Sequence, residues 1–97
     1  MSRVLIRSEA LLDLDDIFDY IADDSLDRAI AFIQKLHDQI EKIAATPGMG
    51  RRRDELLPDL RCMAYGNYMI FYFSMNDGID VVRVINGARD IEAIFQK

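Results

Sequence analysis

Two arginines and two tyrosines are the side chains of this 97-residue chain best suited to hold a phosphate group. We place Arg61 and Arg83 on neighbouring strands, with Tyr68 and Tyr72 nearby in the same sheet. Guanidinium groups and a phenol can hold a scissile phosphate, as in ribonucleases that work without a metal. Cleavage also needs a group that moves a proton near neutral pH, and apart from a tyrosine only Glu92 could swing back to supply one. The three residues Arg61, Arg83 and Tyr68 are therefore catalytic only if the chain is a ribonuclease. Ion pairs with acidic residues of the helices or turns are the alternative for both arginines.

Other residues with chemical potential have structural explanations. Cys62 has no base beside it and fits a small strand residue, and His37 has no second histidine or cysteine near it. A row of carboxylates at helical spacing is expected to be a solvated helix face rather than a cation site, and comprises Asp13, Asp16, Asp19 and Asp23. The sequence contains no phosphate-binding glycine loop, no Gly-x-Ser-x-Gly and no Cys-x-x-Cys. No cofactor or metal is therefore predicted.

Three consecutive arginines, Arg51 to Arg53, follow the flexible bend at Pro47–Gly50. In one interpretation they form a solvated loop that Asp54 and Glu55 partly neutralise. In the other they are a docking site for an acidic partner or a phosphate, because guanidinium forks bind planar anions well.

The remainder of the chain is organised around a predicted β-hairpin. Its first strand is the aromatic run Asn67–Ser74, its turn is Met75–Gly78, and its second strand is the β-branched run Ile79–Ile85. The first run is apolar at almost every position, so both faces must be covered. The helices cover one face, and either a partner or a terminal segment covers the other. Strict alternation places Arg83 on the face of Val81 and Ile85, opposite Val82 and Val84.

Two further strands and three helices are predicted around this hairpin. Residues 3–7 form an opening strand, Ser8 caps a helix over residues 9–22, and Ser25 caps a second helix that ends at Thr46-Pro47. Their apolar stripes are Leu11, Leu14, Ile17, Phe18 and Ile21, then Ala29, Ile30, Ile33, Leu36, Ile40 and Ile43. Residues 60–64 form a strand, and Asp90 caps a short last helix. The predicted fold is α+β: a two-helix hairpin on one face of a four-stranded, mainly antiparallel sheet, in the order β-α-α-β-β-β-α.

The acidity of the chain lies entirely in its first half. Residues 1–48 contain ten acidic and five basic residues, and residues 49–97 contain seven of each, which together give the net charge of −5. Such a protein has no overall attraction to nucleic acid. The longest apolar run, Met69–Phe73, is too short to cross a bilayer, and no signal-peptide core follows Met1. We therefore expect one cytoplasmic domain, residues 1–97, that contacts neither membranes nor specific DNA sequences.

Six segments, in order along nearly the whole chain, resemble the ParE toxins of type II toxin–antitoxin systems, within the RelE/ParE superfamily. They are residues 15–22, 29–33, 47–51, 60–61, 68–72 and 82–90. The ribonuclease branch of the superfamily matches the sheet arginines, but nothing in this chain matches that branch's C-terminal acid or base. The chain also has Asn86-Gly87 where many ParE-like chains read Val-x-His-Gly, and Asn86 cannot titrate.

This resemblance implies a toxin that inhibits DNA gyrase without enzymatic chemistry and that a ParD-like antitoxin neutralises. The pair would form a hetero-oligomer, with a heterotetramer as one form. The alternatives are a ribosome-dependent messenger ribonuclease and a non-toxic binding module of the same fold. The residues expected to contact the antitoxin are Arg51, Arg52, Arg53, Arg61, Tyr72 and Arg83. Those expected to contact gyrase are Arg89, Ile91, Ile94 and Phe95, together with the exposed side of the helical hairpin.

Overall fold

The computed structural model describes residues 2–96 of the chain. Its elements are strand β1 (Arg3–Ile6), helices α1 (Ser8–Ala22) and α2 (Leu26–Ala45), strands β2 (Arg51–Arg52), β3 (Leu60–Tyr65), β4 (Tyr68–Met75) and β5 (Gly78–Asn86), and helix α3 (Ile91–Phe95). One turn of 3₁₀ helix, Pro47–Met49, lies between α2 and β2. No helix within residues 2–96 is both long enough and apolar enough to cross a bilayer.

All the strands form one sheet, in the order β1-β5-β4-β3-β2. The antiparallel meander β3-β4-β5 is as predicted, and β1 joins its edge in parallel with β5. The predicted number of strands is wrong by one. The dipeptide Arg51–Arg52 carries no β pattern and is a strand only because it pairs with Cys62 and Arg61 of β3. Since β4 lies between β3 and β5, the prediction that Arg61 and Arg83 occupy neighbouring strands is also wrong.

The two long helices pack on the same face of the sheet, as predicted. Their buried side chains and those of the sheet form the helix-side core, which comprises Ala10, Leu14, Ile17, Leu36, Ile40, Ile43, Ala44, Ile70, Tyr72, Ile79, Val81 and Val84. The predicted stripes are wrong at Leu11 and Ile30, which are 50% and 44% exposed. The contact stripe of α1 runs through Ala10, Leu14 and Ile17, so Leu11 falls outside it.

One of the two predicted serine caps is confirmed. The Ser25 hydroxyl oxygen accepts the Arg28 N–H at 3.2 Å and so caps α2. Ser8, in contrast, is already the first helical residue of α1, and its hydroxyl donates to the Glu9 carboxylate at 3.1 Å. Arg7 occupies the cap position without a side-chain cap, because a guanidinium has no acceptor for the helix N–H groups. It donates to Asp80 of β5 at 2.9 Å.

The opposite face of the sheet is covered by the chain's own α3. Leu60, Cys62, Phe71, Val82 and Ile85 form the outer core, and Leu56, Leu57, Ile91, Ile94 and Phe95 pack against it. The ring of Phe95 meets that of Phe71 edge-on, with centroids 5.0 Å apart. Asp90 caps α3 as predicted, since its carboxylate accepts the Ala93 N–H at 3.2 Å. Of the two predicted alternatives, a terminal segment rather than a partner shields this face.

A β-bulge breaks the alternation of β5. Phe71 pairs with Arg83 and Tyr72 pairs with Val81, so Val82 has no partner on β4. The extra residue reverses which face the later side chains take. Val81 and Val84 therefore pack in the helix-side core, whereas Val82 and Ile85 pack in the outer core. The predicted assignment of Val81 with Ile85, and of Val82 with Val84, is wrong for this reason.

Asp13 of α1 holds the half of β5 that β1 leaves open. The pairing of β1 with β5 ends at Val81, and beyond it the Val84 N–H donates to the Asp13 carboxylate at 2.9 Å. The Arg83 guanidinium donates to the same carboxylate with two nitrogens, at 2.7 and 2.9 Å. Asp13 is only 9% exposed, so its predicted place on a solvated helix face is wrong. For Arg83, the alternative of an ion pair with a helix acid is confirmed.

Replacing Asp13 with alanine tests this arrangement. The substitution leaves the Val84 N–H and a half-buried guanidinium without an acceptor, so we expect the free energy of unfolding to fall by about 2–3 kcal/mol. The matched control is Asp16→Ala. Asp16 is exposed on α1, so this change should lower the free energy of unfolding by less than about 0.5 kcal/mol. Urea denaturation of both variants measures the difference. Equal stabilities would contradict the role assigned to Asp13.

Candidate functional site

Hydrogen bonds hold the 3₁₀ turn, Pro47–Met49, against the sheet, and they come from Arg61 of β3 and Tyr72 of β4. The Tyr72 hydroxyl donates to the Pro47 carbonyl at 2.8 Å and accepts the Gly50 N–H at 2.9 Å. Arg61 donates from one nitrogen to the Gly48 and Gly50 carbonyls, at 3.2 and 2.8 Å. Burial raises the pKa of Tyr72, and the hydrogen bond from Gly50 offsets only part of that effect. Tyr72 is thus a neutral side chain whose hydroxyl is already hydrogen-bonded as donor and acceptor, and it is not suited to act as a general base.

The segment 51–59, here called the arginine loop, contains acids that neutralise most of its positive charge. Arg52 donates to Asp54 at 2.8 and 2.9 Å and to Asp59 at 2.9 Å. Arg53 donates to Glu55 at 2.7 Å. Arg51 is exposed and makes no ion pair with the residues that the structure describes. Of the three consecutive arginines, Arg51 is therefore the one whose positive charge is available to a partner.

Hydrogen bonds in this loop also shift a carboxyl pKa. The guanidinium of Arg52, and then the Asp59 N–H, lower the pKa of Asp54 from 3.8 to about 2. The Asp59 N–H donates to Asp54 at 2.8 Å, which closes the loop between the two acids. The loop is therefore an ordered, charge-paired structure near neutral pH, not a mobile cationic tail.

The three residues of the ribonuclease alternative have separate environments. Arg61 binds the backbone of the 3₁₀ turn, whereas Arg83 binds Asp13 on α1. Tyr68 lies beside Phe32, with ring centroids 5.7 Å apart, and burial raises its pKa. A phosphate site needs these groups to converge on one position. Because each of the three residues is held by a different part of the fold, they do not converge on one position.

The residues predicted to contact gyrase divide into two sets. Arg89 is exposed in the turn after β5, where its N–H donates to the Asn86 carbonyl at 3.1 Å. Ile91, Ile94 and Phe95 are half-buried against the outer core. Beside them a cavity of about 350 Å³ opens between α3 and β5, and its lining includes Arg83 and Phe95. Part of each apolar side chain of α3 remains accessible.

Sequence reasoning placed Asp13 on a solvated helix face, without a structural role, and did not single out Tyr20. Asp13 carried a usable signal, since it lies at helical spacing between Ala10 and Ile17 and so falls within the buried stripe. Tyr20 is 75% exposed and borders cavities of about 270 and 310 Å³ that it shares with Tyr68. Nothing in its local sequence distinguishes it from a stripe residue.

The structure defines a class of small α+β proteins in which a two-helix hairpin covers one face of a mainly antiparallel sheet. Residues 4–91 match the family described as "ParE toxin of type II toxin-antitoxin system, parDE". The chain belongs to this ParE toxin family, as its sequence predicted, and is a ParE-type toxin of a type II toxin–antitoxin system.

Individual relatives agree with the family assignment. The chain is similar to Toxin ParE1 of Mycobacterium tuberculosis, with 34% identity over 93 residues that cover 94% of this chain and 95% of the relative. It is 31% identical to Toxin ParE1 of Caulobacter vibrioides over 94 residues, which cover 96% and 97% of the two chains. A chain of the chromosomal ParDE system from P. aeruginosa superposes with a TM-score of 0.72 at 19% identity, covering 89% of this chain and 96% of that one. This last match shows a shared fold.

Two glycines of the 3₁₀ turn provide a matched pair of substitutions. A methyl group at Gly50 would collide with the Tyr72 hydroxyl and lie 2.9 Å from the Cys62 carbonyl, whereas one at Gly48 would meet nothing within 4 Å. We expect Gly50→Ala to lower the free energy of unfolding by about 1–3 kcal/mol, because it displaces a buried hydrogen bond and overpacks its surroundings. Gly48→Ala should be close to neutral. If thermal unfolding shows the two variants to be alike, the turn is not anchored as described.

The lowered pKa of Asp54 predicts an acid-dependent contribution to stability. Because its folded pKa of about 2 lies below the ordinary value of 3.8, the contribution is complete above pH 3.8 and is lost as the pH falls through 2. The Tm of the wild type should therefore slightly exceed that of Asp54→Ala at pH 6, and the gap should close between pH 4 and 2. The exposed Asp38→Ala variant serves as control in the same calorimetric series. A gap that persists unchanged at pH 2 would refute this assignment.

Proposed function

We propose that this toxin inhibits DNA gyrase by binding to it, without a chemical step, and that a ParD-like antitoxin neutralises the toxin in a hetero-oligomer. The observation that supports a binding mode of action is the internal use of both sheet arginines that a ribonuclease would need. Arg83 is paired with Asp13, Arg61 holds backbone carbonyls, and Tyr72 uses its hydroxyl as donor and acceptor. Membership of the ParE family supports the choice of gyrase as target and of an antitoxin as partner.

The antitoxin is proposed to reach the arginine-rich end of the sheet. Arg51 is the main candidate, since its guanidinium is exposed and has no ion pair within residues 2–96. Arg52 and Arg53 can contribute if an acidic antitoxin side chain joins their existing pairs with Asp54 and Glu55. Arg61 and Arg83 are proposed as contacts through the parts of their side chains that remain accessible, and Tyr72 only if antitoxin binding uncovers it. Of these three, Tyr72 is fully buried and is the weakest candidate.

Gyrase is proposed to contact the C-terminal end of the structure. Arg89 offers an exposed cation, and Ile91, Ile94 and Phe95 offer apolar surface beside the cavity next to α3. A compact patch of apolar residues with an adjacent arginine is typical of the centre of a protein interface. The antitoxin and gyrase would thus contact different segments of the chain, strand β2 at the edge of the sheet and the residues that follow β5.

Induction of the toxin in cells that lack the antitoxin tests the proposal. We expect growth arrest with chromosomal breaks and an SOS response, and co-expression of the antitoxin should restore growth. Cleaved messages with an intact chromosome would instead identify a ribonuclease, and unimpaired growth would identify a non-toxic binding module.

A pair of charge reversals assigns the gyrase contact within the same experiment. Arg89→Glu should weaken growth arrest, because it opposes the proposed cationic contact at the C-terminal end. Arg3→Glu changes an exposed cation on β1 by the same charge and should leave the arrest unchanged. Equal effects of the two variants would contradict the assignment of Arg89.

A further inference from the structure

Strand β1 leaves one edge of the sheet without a partner. It stands last in the strand order and pairs with β5 along its other side. Alternate residues of such a strand bond to the same side, as the Arg3 and Arg7 N–H groups do when they donate to carbonyls at β5, at 2.6 and 3.0 Å. The N–H and C=O groups of Val4 and Ile6 therefore point away from the sheet. Within residues 2–96, no hydrogen bond reaches these groups.

The two edges of the sheet differ in how open they are to another strand. The edge at β2 consists of two arginines, and a short, charged edge of this kind discourages pairing. Strand β1 has four residues, and Leu5 lies on its outer face with 44% of its surface exposed. Val4 and Ile6 face the other way and pack against the helix-side core. The edge at β1 is thus the one that can accept a further strand.

The two arginines that flank β1 do not protect its edge. Arg3 lies 3.7 Å from the Asp77 carboxylate, and Arg7 donates to Asp80 at 2.9 Å. The Arg7 guanidinium also lies over the ring of Phe73 on β4, 5.5 Å from its centroid. Both guanidinium groups are therefore drawn toward acids on the β5 side of the strand and are neutralised there. Charges that project into solvent keep many natural edge strands apart, and these two arginines do not provide that protection.

We propose that two copies of this chain pair edge to edge through antiparallel β1 strands, related by a two-fold axis at Leu5. The segment Arg-Val-Leu-Ile-Arg, residues 3–7, favours this partner because its residue classes read the same in both directions. With Leu5 opposite its own counterpart, Val4 lies opposite Ile6 of the partner subunit. These are the positions whose backbone groups point outward, so each such pair exchanges two hydrogen bonds.

A second copy completes this edge in a way that an unrelated strand does not. The facing Leu5 side chains lie at a close, non-hydrogen-bonded position, with Cβ atoms about 4.5–5.5 Å apart, and cover each other. A two-fold contact also uses both β1 edges at once, so the pairing closes at two copies. Because the axis is perpendicular to the sheet, both helical hairpins lie on one side of the joined sheet and both α3 helices on the other.

Sedimentation equilibrium of the purified, untagged toxin at increasing concentration tests the inference. We expect a monomer–dimer equilibrium with a dissociation constant of about 10–100 µM, because a contact of one short strand is smaller than the roughly 1,200 Å² of a standard interface. Leu5→Lys should weaken the dimer by at least about tenfold, since two lysines would face each other at the axis. The matched control, Leu12→Lys, changes an exposed leucine of α1 and should dimerise as the wild type does.

Two further measurements locate the contact on β1. In amide hydrogen exchange, Val4 and Ile6 should gain protection as the toxin concentration rises, whereas the Leu5 N–H, which faces β5, should be protected at every concentration. Oxidation of Leu5→Cys should give a covalent dimer, because facing residues at the close positions of an antiparallel pair are within disulfide distance. Leu12→Cys should remain monomeric under the same conditions.

The contrary results are equally specific. A wild type that stays monomeric well above the expected concentration range would overturn the inference. A dimer that Leu12→Lys weakens and Leu5→Lys does not, or one that forms without protection of Val4 and Ile6, would place the contact elsewhere and also overturn it. If Leu5→Lys does not fold by circular dichroism, hydrogen exchange of the wild type decides. All these measurements use the toxin alone, so their outcome is independent of the proposed binding to gyrase and to the antitoxin.

Discussion

The carboxylate of Asp13 is the constraint on which the remainder of the structure depends. The parallel pairing of β1 with β5 ends at Val81, and the chain then leaves the sheet to form α1. Asp13 returns to the open part of β5, where it accepts hydrogen bonds from the Val84 N–H and from two of the three guanidinium nitrogens of Arg83. One side chain thus replaces a missing strand partner, neutralises a charge next to two hydrophobic cores, and fixes α1 on the sheet.

This arrangement has a direct consequence for function. The sequence leaves Arg83 either a phosphate-binding role or an ion pair with a helix acid, and the structure uses its guanidinium to hold a helix in place. Arg61 is used in a comparable way, since it holds the turn that follows α2. The cationic groups of the sheet thus support the fold. The surfaces left for other macromolecules are the outer side of the helical hairpin, the accessible part of α3 and the exposed Arg51.

The sequence predicts the fold well where a single element carries its own signal. The aromatic run of β4 and the β-branched run of β5 identify the hairpin, and the apolar period of α2 with Ser25 at its start identifies that helix. It fails where the outcome depends on a partner distant in the chain. The strand at Arg51 exists only because β3 lies beside it, and the bulge at Val82 depends on the register with Phe71.

The candidate site shows the same limit. Local sequence shows that Arg83 is a charge in an apolar strand that requires a partner, but it cannot identify a partner 70 residues away. The neutralisation of Arg52 and Arg53 by Asp54 and Glu55 could be predicted from the sequence, because the acids directly follow the arginines. Leu12 and Tyr20 lie outside the predicted apolar stripe of α1, and the structure shows both of them exposed.

We propose that this toxin acts by occupying another macromolecule and not by transforming a substrate. The most direct test measures supercoiling of relaxed plasmid by gyrase in the presence of purified toxin. In parallel, it measures the integrity of a labelled message on translating ribosomes. We expect a dose-dependent loss of supercoiling, reversed by the antitoxin, while the message stays intact. Cleavage of the message with supercoiling unaffected would contradict it.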